Sequence, residues 1–351
     1  MADVRCWCCN GQRWKDISDT GVHHALRSRS TRDIEACWQH RHAFYFSRAA
    51  LYPDAVQNRS FSLPSYAKVN LALRVLGRRN DGFHEIATIL QTISLHDTLI
   101  FEPWDNGIEL ICYDTNLPVD ETNLIIGAAN ALQSELRVED GARIELNKLI
   151  PMGGGLGGGS SNAAVALIGL SRLWALDLSF EKLYEIGSRL GSDVPFFLYG
   201  GRALATGRGT TIEPVSEICL GPTIVVTPRI RVSTREAYAN LGLVNLTSAD
   251  VERILLNYRF GPESPVQSVN DFEKTVFAAF PEIADVKANL LELGALEALM
   301  SGSGASVFGI FENEETRQTA LKALGERTDW RSFAVAAVSR SEYREELGIV
   351  D

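Results

Sequence analysis

Six of the seven residues from 153 to 159 are glycine, within the run Pro151-Met152-Gly153-Gly154-Gly155-Leu156-Gly157-Gly158-Gly159-Ser160-Ser161-Asn162. No other segment restricts the fold so tightly. Upstream, Ala142, Ile144 and Leu146 alternate as in a strand, and downstream Ala163, Leu167, Leu170 and Trp174 recur as in a helix. The glycines therefore occupy a strand-to-helix junction. Absent side chains let a ligand approach the backbone closely, and a helix start offers free N–H groups and a positive dipole end. A phosphate chain is the expected ligand.

Other readings of the loop can be weighed against this one. A Walker loop ends in Gly-Lys-Ser or Gly-Lys-Thr, and this segment has no lysine. A dinucleotide fingerprint fits formally as Gly153-x-Gly155-x-x-Gly158, but no parallel βαβ alternation surrounds it and it lies late in its domain. A ligand-free glycine hinge leaves Ser160-Ser161-Asn162 at the helix start unexplained.

In Tyr66-Ala67-Lys68-Val69-Asn70-Leu71-Ala72-Leu73-Arg74-Val75, the odd positions from 67 to 75 are apolar and Lys68, Asn70 and Arg74 share the other face. That is a strand by its period of two. Lys68 and Asn70 then stand side by side, about 7 Å apart at ~3.3 Å per residue, within reach of one ligand. Asn80-Asp81-Gly82 supplies positive-φ residues for a tight turn that presents Phe83 and His84.

The chain of 351 residues is too long for one ordinary core and suits two domains. A net charge of −10 disfavours broad binding to nucleic acid or an anionic membrane, and no apolar run of 18 residues appears. A cytosolic protein with small-molecule partners is expected, while the oligomeric state is unreadable. Residues 1 to 60 are of another kind. They carry nine Lys or Arg against six Asp or Glu, a net +3 that leaves −13 for the rest, and hold Cys6, Cys8, Cys9 and Cys37. Cys6-Trp7-Cys8-Cys9 is too tightly spaced for paired zinc ligands, and Asp3, Asp16 and Asp19 do not suit a transit peptide. A weakly ordered extension or a misplaced start is the expectation there.

Further strands are expected at Thr98 to Phe101 and Ile108 to Cys112, and a helix from about Asn123. Beyond Gly221 come a strand at 223–227, helices near 233–241, 248–257, 270–280 and 282–293, and strands within 296–311 and at 333–338. Asp193 sits between Gly191-Ser192 and an apolar run, Val194-Pro195-Phe196-Phe197, that reads as a strand. The result is an α+β chain with domains at 61–215 and 216–351 and a cleft between them.

The run Pro151 to Ala164 resembles the phosphate-binding motif of the GHMP kinases. Ala67-Lys68-Val69-Asn70-Leu71, Gly82-Phe83-His84-Glu85, Gly191-Ser192-Asp193-Val194-Pro195-Phe196-Phe197, Asn270-Asp271-Phe272-Glu273 and Met300-Ser301-Gly302-Ser303-Gly304-Ala305 agree in order. The resemblance spans about residues 62 to 340, and it is nearest the branch whose acceptor is a sugar alcohol linked to cytidine diphosphate, used in isoprenoid synthesis. Tyr66 stands where that branch often has proline. Phe83 stands where tyrosine is common, which removes one hydroxyl from the substrate side.

The resemblance implies a two-domain GHMP-kinase architecture using ATP, with Mg2+ implied by the chemistry. It makes Lys68 and Asp193 the catalytic pair and Pro151 through Ser161 the ATP loop, and it places Phe83 and His84 against cytosine with Asn70 nearby. Phosphoryl transfer needs an acceptor hydroxyl aligned and relieved of its proton, which suits Asp193, and a cation to spread charge, which suits Lys68. No metal ligand is identifiable, Ser160 being the one candidate. Ordinary alternatives are a solvated lysine, a turn aspartate, a solvated loop histidine and a plain hairpin at 300–304. The rival functions are another GHMP kinase, for galactose, homoserine or mevalonate, and a catalytically silent nucleotide binder. The presence of both Lys68 and Asp193 opposes the silent binder.

Overall fold

Two long strands carry the architecture, because their apolar residues are dense enough to be buried on both faces. β1 (Phe61–Arg78) and β2 (His84–Trp104) pair antiparallel along nearly their whole length, with register shifts at Tyr66/Ala67, Asn70/Ala72 and Val75/Gly77. The structure, a computed structural model, describes residues 60–114, 117–242, 246–260 and 268–349, so the expectation for the first 59 lies outside the described residues. On its other edge β2 pairs with β4 (Gly141–Asn147) through Thr98–Trp104 and with β5 (Arg202–Gly207) through Ile86–Gln91. β3 (Ile108–Cys112) joins β4 in parallel and β6 (Thr211–Pro214) closes the far side.

The apolar i, i+4 pattern after Asn123 forms α1 (Leu124–Leu136), capped by Asn123, whose side chain accepts from the Ile125 amide at 2.9 Å. α2 (Gly158–Leu173) follows the glycine run and is buried almost all round. Gly169 lets it lie on β2, since a Cβ there would stand 2.3 Å from the Phe101 ring. Full burial of Leu167 alone contributes roughly 1.5–3 kcal/mol. α3 (Phe180–Leu190) packs beside it and leads to α4 (Val194–Tyr199). That last segment corrects the expected strand. Pro195 sits in the first turn, where its missing N–H does no harm, and a six-residue apolar run has no periodicity that separates strand from helix.

A second, antiparallel sheet has the order β10-β7-β9-β8, with β7 (Thr223–Pro228), β8 (Ala295–Met300), β9 (Val307–Phe311) and β10 (Trp330–Val335). α5 (Thr234–Ala239) and α6 (Ser248–Phe260) follow β7. α7 (Glu273–Ala279), α8 (Pro281–Glu292) and α9 (Glu314–Leu324) contribute Val276, Val286 and Ala320 to the core of this layer. A further core joins Val69 and Ile89 of the first sheet to Val225, Leu299 and Phe308 of the second. The described residues accordingly form one compact unit. The last helix of the described residues is α10 (Arg340–Glu346).

Candidate active site

The glycine loop is held by other parts of the protein. The Gly155 carbonyl accepts from Lys68 Nζ at 2.8 Å and from Ser301 Oγ at 2.9 Å, and the Gly154 carbonyl accepts from the Ser306 amide at 3.1 Å. Gly155 has φ +73°, and a Cβ on it would stand 2.1 Å from the Ser301 carbonyl oxygen. Gly157, at φ +70°, caps α2. A Cβ there would meet the Phe197 ring at 2.8 Å and Lys68 Cγ at 3.1 Å. Gly159 differs, with only Leu124 Cδ1 at 4.0 Å. Several glycines thus answer to protein packing, while Gly159 faces open space.

Lys68 is buried, 3% exposed, so the solvated-strand alternative fails for it. Its ammonium donates to Asn70 Oδ1 at 2.7 Å and to Gly155, and lies 3.6 Å from Asp193 Oδ2. Burial pushes the Lys68 pKa down, and the charge and hydrogen bonding of Asp193 oppose that shift. Asp193 is the N-cap residue of α4, yet its side chain makes no capping bond, which leaves the carboxylate facing the cleft. Asn70 is fixed in turn, donating to Thr88 Oγ1 at 2.8 Å, and Thr88 donates to the Ala72 carbonyl at 2.6 Å.

The 300–305 turn is more than a hairpin connection, because its main chain is pinned to the site. Asn270 Nδ2 donates to the Met300 and Gly302 carbonyls at 2.7 Å each, and Glu273 Oε1 accepts from the Met300 amide at 2.9 Å. Asp271 Oδ2 accepts from the Val75 amide at 2.8 Å. The Asn270-Asp271-Phe272-Glu273 stretch therefore fastens one sheet's turn to the other sheet's long strand.

At the other end of the cleft, Asp81 Oδ1 accepts from the Phe83 amide at 3.1 Å, and Gly82 has φ +86°. Asn80 and Asp81 do not take positive φ, which corrects that part of the turn expectation: the loop is longer than a two-residue hairpin, and Gly82 alone supplies the bend. Phe83 is 51% exposed under the Arg208 guanidinium, 4.7 Å from the ring centre. His84 stacks on Tyr238 with centroids 4.9 Å apart, and Tyr238 meets Phe272 edge-on at 4.7 Å. Burial, then Arg78, lowers the His84 pKa below its ordinary 6.5. Burial, with Asp193 nearby, pushes the Tyr238 hydroxyl up to about 12.

These groups line one cleft of about 1230 Å³. Lys68, Arg78, Lys148, Arg208 and Arg235 line it, and Asp193 is the one carboxylate among its described lining residues. A polyanion is favoured there, against the net −10 of the whole chain. Pro151 through Ser160 line the cleft as well. Ser161 does not: it is buried and accepts from Ser65 Oγ at 2.8 Å.

Pattern reading missed the support beneath the loop. Asp97 is fully buried, and its Oδ1 accepts from the Leu149 and Ile150 amides at 2.7 and 2.8 Å. Its Oδ2 accepts from Lys148 Nζ at 2.7 Å and Asn162 Nδ2 at 2.9 Å. Asn123, read from the sequence only as a helix start, also lines the cleft. Asp97 stands between His96 and Thr98 in β2, so the local pattern does not single it out.

A glycine loop at a helix start, sharing one cleft with a buried lysine and a carboxylate, fits an ATP-dependent small-molecule kinase. The profile of the GHMP kinases N terminal domain matches residues 123–201, and that of the GHMP kinases C terminal matches 257–328. The chain is 40% identical over 274 residues to a 4-diphosphocytidyl-2-C-methyl-D-erythritol kinase of Syntrophus aciditrophicus (strain SB), covering 78% of this chain and 98% of that one. It is 41% identical over 296 residues to the kinase of that name from Solibacter usitatus (strain Ellin6076), covering 82% and 91%. A crystal structure of 4-(cytidine 5'-diphospho)-2C-methyl-D-erythritol kinase superposes with a TM-score of 0.65 at 35% identity, over 79% of this chain and 99% of that one. A homoserine kinase from Cytophaga hutchinsonii, 21% identical with a TM-score of 0.60 over 83% of this chain and 98% of its own, shares the fold. The chain belongs to the GHMP kinases and, within them, to the 4-diphosphocytidyl-2-C-methyl-D-erythritol kinase family.

Proposed function

We propose that this chain transfers the γ-phosphoryl group of ATP to the 2-hydroxyl of 4-diphosphocytidyl-2-C-methyl-D-erythritol, in the cytoplasm, as a step of the non-mevalonate route to isoprenoid precursors. The observation that carries the reading is the Lys68–Asp193 pair, 3.6 Å apart and lining the same cleft as the glycine loop and the aromatic corner at His84. ATP lies with its phosphates along Pro151 to Ser160 and the first amides of α2. The cytosine lies against Phe83 and His84, with Tyr238 behind His84 and Asn70 toward the acceptor. Asp193 accepts the hydroxyl proton as attack proceeds, and Lys68 spreads the charge that develops on the transferred group.

Ser161 acts from below the loop, tying α2 to β1 through Ser65. For Mg2+, hard oxygen donors fit, and the cleft offers the Ser160 hydroxyl and the Asp193 carboxylate. No three carboxylates, imidazoles or thiols gather among the described residues, so phosphate oxygens would supply most of the coordination. When bound, the ion would neutralise charge on the phosphates. The family profiles fall on either side of a domain division near residue 215, which we also infer.

A coupled ADP-release assay across candidate alcohols tests the reading. Turnover is expected with the cytidine-diphosphate alcohol. Equal turnover with galactose, homoserine or mevalonate, or with the same alcohol lacking the nucleotide, would overturn it.

A further inference from the structure

The helix that carries Asp193 is short, and a six-residue helix cannot hold itself. Of its last-turn carbonyls, that of Phe196 accepts from the Gly200 amide at 2.9 Å, and those beyond it need partners from outside the helix. One of them, the Phe197 carbonyl, accepts a 2.5 Å hydrogen bond from the hydroxyl of Tyr343 on α10. Tyr343 is fully buried, and burial, with Tyr66 nearby, raises its pKa, so the phenol keeps the proton it donates. Its ring occupies the space beside Gly200, the residue that ends α4. A Cβ on Gly200 would stand 2.1 Å from Tyr343 Cδ1.

The same short helix also touches the phosphate loop, through the Phe197 ring against Gly157. Residue 193 begins it, residue 197 underlies the loop, and its end is held by Tyr343. The segment that brings Tyr343 there is itself tied to the first sheet. The Ser94 amide donates to the Ala336 carbonyl, and the Val338 amide to the Thr92 carbonyl, each at 2.9 Å; Gln91 Nε2 donates to the Val338 carbonyl at 3.0 Å. Burial of Val194, Phe196, Phe197 and Leu198 fixes the place of α4 in the core, and the Tyr343 hydroxyl adds a directional contact at its end.

We propose that Tyr343 is a positioning residue for phosphoryl transfer: its hydroxyl anchors the end of α4 and thereby helps aim Asp193 at the acceptor. This rests on the role given to Asp193 above. Transfer depends on alignment more steeply than binding does, so loss of the hydroxyl lowers kcat and leaves KM alone.

The experiment compares Tyr343→Phe, which keeps the ring, with Ser339→Ala, which removes the capping box of the same helix without touching α4. Each is measured alone and combined with Asp193→Asn. Tyr343→Phe should lose about five- to tenfold in kcat, the worth of one hydrogen bond, with both KM values within about twofold of the parent. Ser339→Ala should lower the melting temperature and leave kcat within about twofold. In the Asp193→Asn background, Tyr343→Phe should lose no more. An unchanged kcat in Tyr343→Phe, an equal loss in Ser339→Ala, or a full additional loss on Asp193→Asn overturns the positioning role alone. Near-native turnover of Asp193→Asn overturns both this inference and the reading beneath it.

Discussion

The Gly155 carbonyl and the Ser301 hydroxyl meet at 2.9 Å, and this contact closes the glycine loop of one sheet onto the hairpin turn of the other. It separates two kinds of glycine in a run that looks uniform. Gly155→Ala brings a methyl to 2.1 Å from the Ser301 oxygen, which nothing flexible can relieve. Gly157→Val likewise strikes Phe197 and Lys68, so it disturbs the site's own framework as well as any phosphate. Gly159→Ala meets nothing closer than 4.0 Å and removes helix-disfavouring freedom. The expected result is a stability gain of about 0.5–1 kcal/mol with weakened ATP binding. Calorimetric titration beside thermal unfolding checks this. Unchanged ATP affinity in Gly159→Ala would contradict the loop assignment.

Asp97 should be the most sensitive residue outside the cleft. Its carboxylate satisfies two amides, a lysine and an asparagine with no solvent to replace it. Asp97→Ala leaves Lys148 buried and unpaired, a class of change that costs about 3–5 kcal/mol. Urea unfolding should register a loss of that size, and the KM for ATP should rise because the entry to the loop at 149–150 loses its anchor. A loss below about 1 kcal/mol would show that water replaces the carboxylate.

The contrast between Lys68 and Asp97 explains what was legible beforehand. Lys68 stands in a period-two strand beside a recognisable glycine run, so local pattern and motif order both point to it. Asp97 draws its partners from 51 to 65 residues away, and no window of sequence holds them together. α4 was misread for a related reason. Val194-Pro195-Phe196-Phe197 is apolar throughout, and what decides its form is the proline in the first turn together with burial on every side. Ser160 and Ser161 are neighbours in one helix turn, so which hydroxyl faces the cleft depends on where Ser65 lies across the chain.

His84 should confer a pH dependence on acceptor binding. Burial and Arg78 place its folded pKa below 6.5, so the imidazole stays neutral through pH 7 and protonates only in more acid solution. Because the unfolded chain takes up that proton first, the residue's contribution to stability is complete above about pH 6.5 and is lost as pH falls toward the folded value. The acceptor KM should be flat from pH 8 to about 6.5 and climb below it, with the ATP KM little affected. In His84→Ala the acceptor KM should be raised throughout and its acid limb absent. A limb centred above pH 7, or an effect confined to ATP, would reassign the residue.

Asp193→Asn tests the chemistry most directly, because it keeps the side chain's shape and removes the group able to accept a proton. General-base contributions run to about 10²–10⁴-fold, roughly 3–5 kcal/mol of barrier. The variant should bind ATP and acceptor with near-parent affinity and turn over at least about a hundredfold more slowly, the pattern of an interaction made only in the transition state. A smaller loss would mean that Asp193 orients the hydroxyl and leaves its proton to leave by another route. Lys68→Ala completes the comparison, since its ammonium lies 3.6 Å from Asp193 and also holds Gly155 and Asn70. If the two act as one unit, the double variant loses less than the sum of the single losses. Full additivity at saturating substrate would separate them into independent roles, and near-native turnover of Asp193→Asn would remove it from the catalytic centre.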